Sequence, residues 1–218
     1  MLPLQKICIS LHKIEDMHYI LTLSYRGAGL SGWQVQNNAV TVQGELDRAL
    51  GILFRTPVQT IGAGRTDTGV NAVNYVCDFE TPEPLHLTKQ DFLYKINAIT
   101  RKEIVVHDIC AEGECGFMPS GEYPFNSRFS AKSRVYRYFL HGAKDPFAEG
   151  FSWRCPWPLD VDQMNRAAAL LLGEHDFSCF EKVGGGNATS VCNVLRAEWT
   201  RYTPGHVAQL GFPDDGDY

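Results

Sequence analysis

Alternating apolar and polar residues mark three strand-like segments in the first half of this chain, and helical spacing marks the two segments between them. The strand pattern occupies residues 18–25, 72–79 and 103–109. Apolar residues at helical spacing follow a threonine that can serve as N-cap in residues 41–54 and 88–99. This order predicts an α+β lobe, or a split βαβ arrangement, and excludes an all-α or all-β fold.

The pattern resumes in the second half of the chain. Residues 134–141 (RVYRYFLH) and 191–202 predict strands, and residues 161–172 predict a helix between them. Residues 113–126 are rich in Gly, Pro and Ser, as is typical of a linker or surface loop. A chain of 218 residues is long enough for two small lobes that share an interface.

We therefore expect four parts. An N-terminal extension without an assigned function covers residues 1–16, and an N-terminal α+β lobe covers residues 17–112. The linker at residues 113–126 leads to a C-terminal α+β lobe at residues 127–218. This second lobe ends after a strand with no helix behind it, so it is expected to be incomplete.

Composition excludes several classes of protein. Hydrophobic residues make up 44% and charged residues 21%, which excludes a disordered, collagen-like or coiled-coil chain. Apolar stretches are too short to cross a bilayer, and no signal peptide is recognisable, so we expect a cytoplasmic protein. The 7 cysteines form no C-x-x-C pair, which fits a reducing compartment where most are small core residues. The spacing of Cys110 and Cys115 disfavours a zinc site with a histidine.

The most unusual segment is the glycine-rich loop IGAGRTDTGVNA at residues 61–72. Its glycines allow sharp turns and a close approach to the backbone around Arg65 and Asp67. An arginine near an aspartate favours the ionised carboxylate, which can act as a nucleophile. The alternative is an ordinary turn with an exposed ion pair. Asp67-Thr68-Gly69 also spells the short signature of aspartic proteases, which would need a second copy from a dimer.

A local basic and aromatic stretch, residues 125–144, contrasts with the net charge of −5. The stretch contains no acidic residue. Its cations are Arg128, Lys132, Arg134, Arg137 and Lys144, and its aromatic residues are Phe125, Phe129, Tyr136, Tyr138 and Phe139. Basic side chains contact phosphates and aromatic faces stack on unpaired bases, so this stretch suits RNA with looped-out nucleotides. The alternative is a half-buried strand with a solvated charged face.

Three motifs together resemble the TruA family of tRNA pseudouridine synthases. They are G-R-T-D-x-G-V-x-A at residues 64–72, R-F-S-A-x-x-R-x-Y-R-Y at residues 128–138 and L-L-G-E-H-D-F-S-x-F at residues 171–180. The early YRGAGLSGWQVQ at residues 25–36 is similar to the family's opening motif. Because the motifs share the family's order and spacing, the resemblance extends over residues 18–202.

The resemblance implies a pseudouridine synthase fold: two lobes, a mainly antiparallel sheet flanked by helices, and a central active-site cleft. It implies isomerisation of uridine in the tRNA anticodon stem-loop, at tRNA positions 38–40, by a homodimer without a cofactor or metal. Asp67 matches the catalytic aspartate, Arg65 the arginine that orients it, and Tyr136 the tyrosine that stacks on the target base. Charge alone adds Arg128, Lys132, Arg134 and Arg137 as phosphate-binding candidates.

Family chains continue past the strand near Trp199 into a further strand and helix, so the sequence is expected to be a C-terminally truncated family member. His175 and Asp176 are expected to orient the turn after the third helix rather than to act in catalysis. Two other functions stay open. A non-catalytic tRNA-binding protein would tolerate Asp67→Ala, and a dimeric aspartic protease would hydrolyse peptides at acid pH.

Overall fold

The computed structural model describes residues 17–82, 84–115, 125–181 and 189–205. The predicted extension at residues 1–16 and most of the predicted linker, residues 116–124, lie outside them. The chain divides into two compact units, Met1–Val135 and Tyr136–Tyr218.

A four-stranded antiparallel sheet forms the centre of the first unit. Its strands are β1 (Met17–Tyr25), β2 (Ile61–Gly62), β3 (Ala72–Thr81) and β4 (Ile104–Ala111). Their order in the sheet is β2-β3-β1-β4, so β1 is a central strand with a neighbour on each side. The three strands predicted from alternation are confirmed, whereas the two-residue β2 falls within the segment interpreted as a loop.

Two helices begin at the predicted caps. Helix α1 spans Val42–Phe54, and the Thr41 side chain accepts a hydrogen bond from the backbone N–H of Gly44. Helix α2 spans Lys89–Ile99, and Thr88 accepts likewise from the N–H of Asp91. Each hydroxyl satisfies a backbone donor that has no partner within its helix, which fixes where the helix starts.

The core of the first unit lies between one face of the sheet and the two helices. Leu21 and Leu23 of β1 and Leu46 and Leu50 of α1 are completely buried there. Since strand side chains alternate between faces, His18 and Ile20 point to the opposite face of β1. Asp78 of β3 lies across from Ile20 and shares that second face.

The second unit contains shorter elements. They are β5 (Leu140–His141), β6 (Trp153–Arg154), α3 (Val161–Ala169), β7 (Gly173–Asp176) and β8 (Val191–Val194). Strands β5 and β6 pair in parallel, and β7 and β8 pair antiparallel. The helix predicted at residues 161–172 is thus confirmed, with its last three residues in a turn.

Two strand predictions were too long. The strand predicted at residues 134–141 is regular only in β5, because residues 131–139 form no ladder among the described residues and are exposed. Val135 and Tyr138 are each nearly four-fifths exposed, so the alternation there does not reflect a half-buried face. Likewise, only Val191–Val194 of the segment 191–202 is a strand.

The cysteines depart from expectation at one pair. Cys110 and Cys115 form a disulfide, which the sequence analysis did not predict, and their sulfurs therefore bind each other rather than a metal. Cys77 and Cys155 are buried, as expected of small core residues, whereas Cys179 and Cys192 are exposed. Within the described ranges no helix is long and apolar enough to cross a membrane.

Candidate active site

The loop between β2 and β3 carries Arg65 and Asp67, and both side chains are exposed. The backbone beside them is fixed by the segment that follows β1. Trp33 donates its N–H to the carbonyl of Thr66 at 3.2 Å, and Gly69 donates its N–H to the carbonyl of Leu30 at 3.4 Å. The carboxylate therefore stands on a loop whose flanking peptides are held in place, while the carboxylate itself faces outward.

A glycine makes this close approach possible. Gly32 has φ +80°, and a Cβ there would overlap the carbonyl oxygen of Thr66. Only glycine meets both demands at no cost, because other L-residues are strained at positive φ. The G-W-Q part of the opening motif thus has a physical reason: it lets two chain segments touch next to Asp67.

Three aromatic side chains support the loop that carries Asp67. Tyr25, Trp33 and Tyr75 form a cluster in which the Trp33 and Tyr75 ring centroids are 4.4 Å apart. The Tyr25 hydroxyl bonds the Thr66 hydroxyl at 2.9 Å. Trp33 is only 3% exposed, so it packs in the core rather than facing solvent.

Tyr75 fixes the backbone of Gly64 at both polar groups. Its hydroxyl accepts a hydrogen bond from the Gly64 N–H at 3.2 Å and donates one to the Gly64 carbonyl. Burial raises the pKa of the Tyr75 phenol, so the hydroxyl keeps its proton and can donate at neutral pH. Neither tyrosine was predicted as a support: Tyr75 has the pattern of an ordinary strand residue, and Tyr25 opens the YRGAGLSGWQVQ motif but was assigned no role of its own.

Arg134 contacts the same loop from the basic stretch. Its Nη2 donates to the carbonyl oxygen of Ala63 and, at 3.3 Å, to that of Arg128. The side chain passes close to Gly64, where an added Cβ would lie 3.4 Å from Arg134 Nε. Its charge predicts a phosphate contact for Arg134, and the structure adds a hydrogen bond to the carbonyl oxygen of Ala63, two residues before Arg65.

The remaining predicted residues fall into two groups. Arg128 and Lys132 are exposed in the first unit, within the same stretch as Arg134. Tyr136 and Arg137 belong to the second unit, where Tyr136 is 70% exposed. The structure thus brings Arg65, Asp67 and Arg134 to one loop and leaves Tyr136 and Arg137 in a separate compact unit.

His175 and Asp176 act on local backbone. His175 Nε2 lies 2.9 Å from the carbonyl of Leu172, and Asp176 accepts from the N–H of Ser178 at 2.9 Å. Both bonds shape the chain on either side of β7, so the predicted orienting role fits, although the segment is a strand rather than only a turn. Among the described residues no cluster of His, Cys, Asp or Glu could hold a metal ion.

Comparison with known proteins gives the family. No family model matches the chain. The tRNA pseudouridine synthase A of Parabacteroides distasonis is 36% identical over 186 residues, which are 84% of this chain and 69% of the relative. The protein of the same name from Chlorobaculum tepidum is 36% identical over 191 residues, 87% of this chain and 73% of the relative. This chain belongs to the tRNA pseudouridine synthase A family.

A third member of the tRNA pseudouridine synthase A family, from Bacteroides fragilis, is 35% identical over 184 residues, 84% of this chain and 69% of the relative. The family resemblance that the motifs indicated is therefore confirmed by sequence identity over more than four-fifths of this chain. The mixed α/β architecture with an antiparallel sheet is compatible with membership of this synthase family.

Proposed function

We propose that this chain is a tRNA pseudouridine synthase that isomerises uridine in the anticodon stem-loop, with Asp67 as the nucleophile. The observation that carries the proposal is the exposed Asp67 on a loop fixed by the Trp33–Thr66 and Leu30–Gly69 hydrogen bonds, in a chain of this family. A held backbone beside an outward carboxylate suits attack on a nucleotide that enters from solvent.

The reaction breaks the bond from N1 of uracil to C1′ of ribose and forms a bond from C5 to the same C1′. The proton on C5 is released to water and N1 gains a proton, so no electrons are exchanged with another molecule. Asp67 would add to the base or the sugar, or stabilise a sugar cation while uracil turns. Each route needs an ionised carboxylate, and none needs a cofactor.

We assign further roles to Arg65, Tyr136 and the basic residues. Arg65 would orient Asp67, and Tyr136 would stack on the flipped base, which offsets part of an unstacking cost of about a few kcal/mol. Arg128, Lys132, Arg134 and Arg137 would bind tRNA phosphates. Their clustering in a stretch free of acidic residues supports this role in a chain whose net charge is −5. We further propose that the synthase acts as a homodimer on one tRNA.

Release of tritium from tRNA labelled at C5 of uridine tests the proposal, because that proton leaves only when C5 bonds to ribose. The chain should release tritium, and Asp67→Asn should abolish release while tRNA binding stays within a few-fold. Asp162→Asn, an exposed aspartate in the first turn of α3, is the matched control and should keep full activity.

Other outcomes distinguish the alternatives. Binding of tRNA without tritium release by any variant would favour the RNA-binding protein. Peptide hydrolysis at acid pH, lost with Asp67→Asn and accompanied by no tRNA binding, would favour the dimeric protease.

A further inference from the structure

A buried ionic cluster lies on the sheet face opposite the helices. His18 of β1 stands between two carboxylates: its Nε2 is 2.9 Å from Asp78 of β3, and its Nδ1 is 2.9 Å from Glu112, which follows β4. The Asp78 residue is only 3% exposed, and the His18 side chain is 11% exposed. When the imidazole is protonated, both of its N–H groups donate, one to each carboxylate.

The second oxygen of each carboxylate binds the beginning of the basic stretch. Asp78 Oδ1 accepts from the N–H of Ser127 at 2.7 Å, and Glu112 Oε1 accepts from the N–H of Phe125 at 2.6 Å. Phe125 and Ser127 come shortly before Arg128 in the chain. The carbonyl oxygen of Arg128 accepts a hydrogen bond from the Arg134 side chain. The stretch 125–134 is thus tied to the sheet at its start and to the Asp67 loop at its end.

His18 links the two carboxylates of this cluster, because each of its ring nitrogens contacts one of them. Without it, two carboxylates would lie close together in a poorly solvated place, and mutual repulsion would oppose holding both near the same turn. An imidazolium satisfies both and leaves their outer oxygens aimed at the amides of Phe125 and Ser127. Asn126 completes the turn, because its carbonyl accepts from the N–H of Ser130 at 2.8 Å.

We propose that His18 is a positioning residue for tRNA: clamped between Asp78 and Glu112, it holds residues 125–134 so that their cations meet the RNA. The inference rests on the proposed function, since it assigns those cations to tRNA. The hydrogen bond to Asp78, opposed by burial and reinforced by Glu112, raises the pKa of His18 to about 9, which keeps the clamp charged at neutral pH. Among the described residues, Glu80, exposed on β3 across from His18, is a further charged group on the same face of the sheet.

Amide hydrogen exchange and tRNA binding test the clamp without relying on catalysis. His18→Gln should speed exchange at Phe125 and Ser127 about tenfold and weaken tRNA binding several-fold, because a neutral side chain cannot balance both carboxylates. The matched control is His107→Gln. His107 is exposed on β4, and its Nε2 lies at hydrogen-bond distance, 2.8 Å, from the Ser24 hydroxyl of β1. Its replacement should change neither the exchange rates nor the tRNA affinity.

Glu112→Gln is a milder variant that still tests the inference if His18→Gln folds poorly. Glu112→Gln retains an oxygen for the Phe125 N–H but removes one charge, so the pKa of His18, followed by NMR, should fall and tRNA binding should weaken less. Unchanged exchange at Phe125 and Ser127 in His18→Gln would overturn the inference. So would faster exchange with tRNA affinity equal to that of His107→Gln.

The inference and the proposed function fail in different ways. A chain that binds tRNA in a His18-dependent manner yet releases no tritium would refute the synthase and support the clamp. A chain that releases tritium with the same KM in wild type and His18→Gln would support the synthase and refute the clamp.

Discussion

Arg134 donates a hydrogen bond to the carbonyl oxygen of Ala63, two residues before Arg65. Within the first unit, a hydrogen bond therefore joins the basic stretch to the loop that carries Asp67. A cation assigned to RNA phosphate from its charge also supports the backbone next to the proposed nucleophile. This hydrogen bond distinguishes Arg134 from Lys132, which lies two residues earlier in the same basic stretch.

Arg134→Gln is expected to lower kcat at saturating tRNA about tenfold or more, because the Ala63 carbonyl loses its donor and the Asp67 loop shifts. Lys132→Gln, the matched control, should raise KM and reduce the salt dependence of binding by about one phosphate contact, with kcat unchanged. Steady-state tritium release at several salt concentrations separates the two effects. Equal effects of both variants on KM alone would show that Arg134 serves only as a phosphate contact.

Tyr75→Phe is expected to destabilise the fold by about 1–2 kcal/mol and to lower kcat with little change in KM. The variant removes the hydroxyl that serves both the N–H and the carbonyl of Gly64, while the ring can still pack on Trp33. Urea unfolding and tritium release measure the two effects. Tyr94→Phe, at a position 77% exposed on α2, is the control and should leave both unchanged.

Periodicity predicted the first unit well for a physical reason. In β1, β3, β4, α1 and α2 the core residues recur on one face, so the hydrophobic pattern records the structure directly. In residues 134–139 the same alternation is found without burial. Tyr136 and Val135 are both exposed there, and pattern alone cannot tell an exposed alternating segment from a half-buried strand.

The candidate site was predictable where glycines and charges mark it, and unpredictable where ordinary residues support it. Gly64 to Gly69 identified the loop around Asp67. Nothing local identified His18, because its partners Asp78 and Glu112 are 60 and 94 residues away in sequence. Sequence spacing carries no information on contacts that only the register of three strands creates.

Two glycines in the opening motif allow a matched test of the contact beside Asp67. Gly29 and Gly32 both have φ near +80°, so alanine at either should cost about 1–2 kcal/mol of stability from backbone strain. A Cβ at Gly29 meets nothing within 4 Å, whereas a Cβ at Gly32 overlaps the Thr66 carbonyl. Gly32→Ala alone should therefore displace the loop and lower kcat.

Chemical denaturation gives the stability cost of each glycine variant, and tritium release gives kcat for the folded fraction. Both variants are expected to destabilise the fold, Gly32→Ala more than Gly29→Ala because of the added overlap, and only Gly32→Ala is expected to lower kcat. Full activity of folded Gly32→Ala would mean that the position of the Thr66 peptide does not matter for the reaction.

His18 should make stability depend on pH in alkaline solution. Its pKa is about 9 in the folded chain and 6.5 in an unfolded one, so the folded state binds the proton more tightly. The stabilisation is fully present below pH 6.5 and is lost as pH rises to 9 and beyond. The difference in unfolding free energy between wild type and His18→Gln, measured from pH 6 to pH 10, should shrink over that range. His107→Gln is the control and should keep the wild-type pH dependence, since His107 Nε2 hydrogen-bonds to the Ser24 hydroxyl rather than to a carboxylate. A wild-type curve parallel to that of His18→Gln across the whole range would mean that His18 is not charged between Asp78 and Glu112.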